Sequence, residues 1–143
     1  MDVKVNILRF VIPKSLVLTL DPESTVRQAL ERMRFHRYTA VPAVDSDGRY
    51  CGTVRTDDLL NYFLTEGTFD KKRAEDRSIR DIIDPSYSRA LAHSASLEEL
   101  IEQVKEHNFV PVVDDRECFI GIILRRDVLN YLFNYYKKKG GEI

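Results

Sequence analysis

The chain has 143 residues, 43% of them hydrophobic and 31% charged, with a formal net charge of −1. That is enough for one domain with a real core, or for two small halves sharing one, and it offers no overall positive field to draw nucleic acid. Any anion site must come from a local cluster of Arg or Lys.

The first residues, Met1 to Pro13, carry short apolar runs broken by Lys4, Asn6 and Arg9. They do not read as a signal peptide or a membrane span, so the cytosol is the default compartment. Val26, Ala29, Leu30 and Met33 then recur at helical spacing, and Thr25 with Gln28 predicts a capping box at the start of that helix. The apolar run Ala40–Val44 reads as a strand covered on both faces. Asp47-Gly48 supplies a turn into a second strand, Tyr50 to Val54. A helix follows with Leu59, Leu60 and Phe63 on one face, and the charged stretch 65–77 reads as a linker.

The order then repeats. Pro42, Gly52 and Asp58 return as Pro111, Gly121 and Asp127, a constant offset of 69. Leu97, Leu100, Ile101 and Val104 predict the second copy of the first helix, opened by Ser96 and Glu99, at an offset of 71. The second copy has therefore lost two residues between helix and strand, where His36-to-Pro42 becomes His107-to-Pro111. The run Phe109–Val113 repeats the covered strand, and Val128, Leu129, Leu132 and Phe133 repeat the closing face. The division expected is repeat 1 over 1–64, linker over 65–77 and repeat 2 over 78–143. The fold class expected is mixed α/β (α+β), each repeat β-α-β-β-α. About 60 residues are marginal alone, so the two halves are expected to pack about a pseudo-twofold axis and leave clefts between them. Apolar helix surface beyond what one small module covers predicts a homodimer.

No catalytic pattern stands out. Cys51 and Cys118 form no CxxC, and no metal site is expected. His36 and His107 fall at helix C-terminal ends, where a cation suits the dipole. There is no GxSxG, P-loop or HExxH. Lys137 to Lys139 read as a solvated tail.

Each copy, an amphipathic helix followed by h-P-h-h-D and G-h-h-x-x-x-D, resembles the CBS family, whose paired repeats form a Bateman module. The resemblance implies a non-catalytic regulatory module binding an adenine nucleotide between repeats. Carried onto this chain, one pocket combines Leu16, Leu18, Tyr38, Thr39, Ala40 and Pro42 with Leu124, Arg125, Arg126 and Asp127. The other combines Ser86 to Leu91, Asn108 and Phe109 with Arg55 to Asp58. Arg55 and Leu124 stand where nucleotide-binding repeats have Ser or Thr. A finer resemblance is to the stand-alone cyclic di-AMP-binding proteins of Gram-positive bacteria, the CbpB or DarB type. It rests on Arg37-Tyr38-Thr39-Ala40-Val41-Pro42 and on Gly121 to Arg126.

Cyclic di-AMP is thus the expected ligand, passing its signal to a partner protein. An AMP, ADP or ATP sensor and a ligand-free dimerisation scaffold stay open as alternatives. Chemically, Arg125 and Arg126 at a strand-to-helix junction add bidentate donors to a helix N-terminus that already favours anions. Asp127 suits ribose hydroxyls, or a helix cap. Tyr38 offers a ring to stack on a base, with Thr39 and Ala40 exposing backbone groups beside it and leucines as apolar walls. One working site per chain is expected.

Overall fold

The computed structural model describes residues 4–67 and 70–141. The chain divides into two compact units, one formed by residues 18–89 and the other by residues 1–17 with 90–143.

The unit 18–89 holds α1 (Val26–His36), β2 (Ala40–Val44), β3 (Tyr50–Arg55), α2 (Thr56–Glu66) and the short α3 (Lys71–Ala74). The other unit holds β1 (Ile12–Pro13), β4 (Leu91–Ala92), α4 (Leu97–Glu106), β5 (Phe109–Val113), β6 (Phe119–Leu124) and α5 (Arg125–Lys138). In the first, β2 and β3 pair antiparallel, and Leu20 adds a parallel bridge to Ala43. In the second, the order is β1-β6-β5-β4, with β4 parallel to β5 and Leu91 opposite Val112. Leu20 and Leu91 are thus repeat equivalents doing the same job.

The compact units cut across the sequence repeats for a reason visible at two glycines. Ile12 pairs with Ile122 and Pro13 with Gly121, so the segment that opens repeat 1 lies on the last strand of repeat 2. Ile83, in the segment that opens repeat 2, lies over Gly52 of β3 in repeat 1. Each repeat is therefore completed by the opening segment of the other. The predicted linker also belongs to its unit: Ala74 is buried in the core, and the Tyr62 hydroxyl donates to the Arg73 carbonyl at 3.1 Å. Thr68 and Phe69 of that stretch lie outside the described residues.

Each core is small and apolar. Leu20, Val26, Ala29, Met33, Val41, Val54, Leu59 and Phe63 cluster in the first unit. Ile7, Phe10, Leu97, Leu100, Val104, Val110, Ile123 and Val128 cluster in the second. The capping box of α1 is complete: Gln28 N–H donates to Thr25 Oγ1 at 3.1 Å, and Thr25 N–H to Gln28 Oε1 at 2.9 Å. In α4 only the forward arm is made, from Glu99 N–H to Ser96 Oγ at 3.1 Å, while Glu99 Oε1 takes the Ser96 hydroxyl at 3.3 Å.

The two residues missing from repeat 2 are explained by how the helices end. Arg37 sits in the left-handed region at φ 58° and ψ 35°. Its N–H donates to Arg34 O, and Tyr38 N–H reaches back to Met33 O at 3.0 Å, a Schellman cap. Helix α4 has no such turn; His107 is extended and Asn108 leads straight into β5. Downstream the repeats are back in register. Thr56 N–H donates to Thr39 O at 2.9 Å, and Arg125 N–H to Asn108 O at 2.8 Å.

Candidate functional site

Strand β6 runs into α5 without a loop, which places Arg125, Arg126 and Asp127 in the first turn of a helix. The two arginines diverge. Arg125 Nε donates to the carbonyl of Val104 at 2.6 Å, in the last turn of α4. That carbonyl is one of those a helix C-terminus leaves unpaired, so Arg125 caps α4 as well as opening α5. Its Nη groups are not used in that bond. Arg126 instead reaches into solvent, its side chain 76% exposed, with Nε 3.9 Å from Asp127 Oδ1. Leu124, at the N-cap of α5, has an apolar side chain and makes no cap bond, so the acidic residue of this first turn is Asp127. Its charge still favours the positive end of the helix.

The equivalent junction of repeat 1 is closed on itself. Asp58 is buried and accepts the Arg55 N–H at 2.8 Å, Arg55 Nη2 at 2.8 Å and Arg55 Nε at 3.2 Å. The Arg55 guanidinium also lies 3.9 Å from the centre of the Tyr87 ring and 3.8 Å from Asp84. Hydrogen bonding to Asp58, ahead of every other influence, holds the guanidinium more firmly protonated than usual. Asp58 thus caps the first turn of α2, and Arg55 is the residue that holds it. Asp84 in turn is held below the usual carboxylate range, first by the Ser86 hydroxyl and then by the Ser86 N–H.

The predicted site residues are shared out between the units. Leu16, Arg125, Arg126 and Asp127 belong to the unit containing residues 90–143; Leu18, Tyr38, Thr39, Ala40 and Pro42 belong to the unit 18–89. Leu16 is exposed in a 3-10 turn, Lys14–Leu16, rather than in a strand. Leu18 is half-buried against its unit's core. Pro42 is buried, opposite Thr53 in the sheet, and its carbonyl accepts from Leu20 at 3.0 Å. Tyr38 is 51% exposed, its ring stacked on His36 at 5.7 Å between centroids. Thr39 is already engaged through its carbonyl. Its carbonyl accepts both the N–H and the hydroxyl of Thr56, at 2.9 and 3.1 Å, so both lone pairs are already used. A base edge is left to meet other groups of this segment.

A groove of about 400 Å³ on the unit 18–89 sets Arg55 and Asp58, expected in the second pocket, beside residues of 61–84 that were not foreseen there. Arg55, Asp58, Tyr62, Glu66, Arg77 and Asp84 are among its lining residues. Its charges answer one another: Arg77 lies 3.6 Å from Glu66 and 3.8 Å from Asp81. The sequence signal was present in the acidic and basic alternation of 65–77, but it reads equally as a solvated surface. Among the described residues no group of His, Cys, Asp or Glu is placed to hold a metal ion, and no helix is long and apolar enough to cross a membrane.

Comparison with known proteins agrees with the doubled architecture. The CBS domain model matches residues 12–65 and again 78–134. The chain belongs to the CBS-domain family, as a tandem pair of repeats. Its structure is similar to that of CbpB from Listeria monocytogenes in complex with c-di-AMP, with a TM-score of 0.81 at 21% identity over 93% of this chain and 98% of that one. It is also similar to CBSX2 in complex with AMP, with a TM-score of 0.71 at 23% identity over 91% of this chain and 97% of that one. Among curated proteins, inosine-5'-monophosphate dehydrogenase of Methanocaldococcus jannaschii is 27% identical over 116 residues, 79% of this chain and 21% of the enzyme. The chain spans less than half the length of the curated relatives it matches.

Proposed function

We propose that this chain is a regulatory module, not a catalyst, which binds an adenine nucleotide and signals to a partner protein from a cytosolic homodimer. Cyclic di-AMP is the ligand this reading favours. The observation that carries it is the exposed Arg126 in the first turn of α5, beside an Arg125 whose side chain points elsewhere. Two divergent guanidinium groups at a helix N-terminus suit a ligand with two phosphates. Asp127, its side chain 39% exposed, suits ribose hydroxyls. Tyr38, Thr39 and Ala40, with Leu16, Leu18 and Pro42, complete the proposed residue set, Tyr38 contributing its ring to a base. The c-di-AMP bound to CbpB and the AMP bound to CBSX2 support the ligand class.

Calorimetric titration with cyclic di-AMP, AMP, ADP and ATP tests the reading. Arg126→Ala is the clean variant, because Arg125 also caps α4. Removing charge-assisted bonds worth roughly 1.5–3 kcal/mol weakens binding about tenfold to hundredfold. Cyclic di-AMP binding tighter than AMP, and weakened by Arg126→Ala, supports the proposal. AMP or ATP binding tighter than cyclic di-AMP replaces it with a mononucleotide sensor. Unchanged affinity in the Arg125/Arg126 double variant removes the arginines from the site, and binding of none of the four leaves a scaffold.

A further inference from the structure

The two repeats end their first helix differently, and the difference faces solvent. Helix α1 closes on Arg34, Phe35, His36, Arg37 and Tyr38, all exposed. Phe35, 81% exposed, is the most exposed large apolar side chain among the described residues. It stands on the side of α1 opposite the buried Val26, Ala29 and Met33. Arg27 pairs with Glu31 and Glu75, whereas none of Arg32, Arg34 and Arg37 is in an ion pair with a described residue.

Repeat 2 serves as an internal control. Glu98, Gln103, Lys105 and Glu106 of α4 stand where α1 has Arg27, Arg32, Arg34 and Phe35, and Arg37 falls in the stretch that repeat 2 shortens. Lys105 is itself paired, with Glu102. The same fold is therefore built without an exposed Phe or free Arg at this helix end. A cation in the last turn suits the helix dipole, which accounts for Arg34 as it does for Lys105. It does not account for Phe35, nor for Arg37, which holds a left-handed position where glycine costs less. Aromatic residues and Arg, with Lys depleted, are what the centres of protein interfaces use. Helix α1 has three Arg and no Lys. Guanidinium forks take carboxylates with two parallel bonds.

We propose that the exposed end of α1 is a docking face for an acidic protein segment, with Phe35 as its apolar anchor and Arg32, Arg34 and Arg37 as the carboxylate donors around it. The proposal rests on the partner-signalling reading above and gives the partner its chemistry. Single-stranded nucleic acid is the other polyanion such residues attract, but its bases stack in succession on open rings. Here Phe35 meets His36 edge to face, and His36 and Tyr38 stack on each other.

Selection from a random dodecapeptide display library on the full chain tests it, followed by fluorescence titration of the strongest synthetic peptide. The selected peptides are expected to carry an excess of Asp and Glu beside an apolar residue. Phe35→Ser is expected to weaken the peptide about thirtyfold, and Arg32→Glu with Arg34→Glu about tenfold or more. Arg37→Gly is expected to weaken it about threefold while raising the thermal midpoint, opposite signs that a merely structural role does not produce. All these positions are exposed, and a melt on each variant confirms folding. A library that yields no binder, peptides without the acidic excess, or equal affinity for Phe35→Ser and wild type overturns the docking face. An oligothymidylate of the same length that binds more tightly than the peptide overturns the choice of a protein partner. Titrating cyclic di-AMP into the same variants keeps the two readings apart: retained nucleotide affinity with lost peptide affinity supports the face, and joint loss overturns it. A wild type that binds the peptide but no nucleotide supports the face and overturns only the ligand reading.

Discussion

A Cβ built on Gly121 would lie 2.1 Å from the carbonyl oxygen of Ile12. The repeat-equivalent Gly52 is also crowded, but by a side chain, with Ile83 Cγ2 at 2.5 Å. Both glycines have positive φ, 157° and 130°. The difference lies in what can give way: Ile83 can change rotamer, whereas the Ile12 carbonyl is backbone in a paired strand. Gly121→Ala is expected to cost about 3 kcal/mol, and Gly52→Ala about half that, from overpacking and backbone strain. Urea midpoints compare them. Equal losses would mean that strand β1 moves away freely.

Left-handed positions give the opposite sign. Arg37 sits at φ 58° and Glu117 at φ 63°, while Gly48, the repeat equivalent of Glu117, takes φ 84°. A side chain there is strained, so Arg37→Gly and Glu117→Gly are each expected to stabilise the fold by about 0.5–1 kcal/mol. A thermal melt reads this directly, and a lowered midpoint in both would contradict it.

Arg55 and Arg126 separate fold from ligand. Arg55→Ala leaves the buried Asp58 carboxylate without its guanidinium, at an expected cost of about 2 kcal/mol in stability. It is expected to leave nucleotide affinity nearly unchanged, while Arg126→Ala does the reverse. The check is one denaturation curve and one titration per variant.

The acid side of the stability profile follows from the two hairpin turns. Asp45 Oδ1 accepts N–H bonds from Asp47 and Arg49, both at 2.9 Å; Asp114 Oδ1 accepts them from Arg116 and Cys118, at 2.8 and 2.9 Å. These bonds hold both carboxyls below the usual range, those from Arg49 and Cys118 leading. A depressed folded-state pKa stabilises above the unfolded value of about 3.9 and loses that contribution as pH falls through the folded one. Stability is therefore expected to drop below about pH 4, and the drop is expected to be shallower in the Asp45→Asn, Asp114→Asn double variant. Denaturant midpoints taken from neutral to acid pH follow it.

Much of the architecture was legible because it is written twice. The helical face of Val26 to Met33, the strands around Pro42 and Pro111 and the Asp47-Gly48 turn all follow from local periodicity and turn chemistry, which need no tertiary information. The place of Ile12 does not. Its partner Ile122 lies across most of the chain, and nothing in a short apolar run says which repeat it joins. The site was half legible for the same reason. Arg125 and Arg126 announce an anion-favouring helix start, but that Arg125 caps Val104, or that the Thr39 carbonyl is already taken, depends on neighbours brought in by folding. Asp58 and Asp127 look alike in sequence, and only the residue before each helix, Arg55 or Leu124, decides which is locked in place.

The position of Ile12 on β6 also sets the order in which this protein can be made. Residues 18–89 are contiguous and can collapse as soon as they leave the ribosome. Ile7 and Phe10, buried in the finished fold, have no sheet to join until Gly121 has been synthesised. Residues 7–13 are thus made well before the strand they join. Until that strand follows they stay an exposed apolar segment, the kind of surface chaperones hold on a nascent chain.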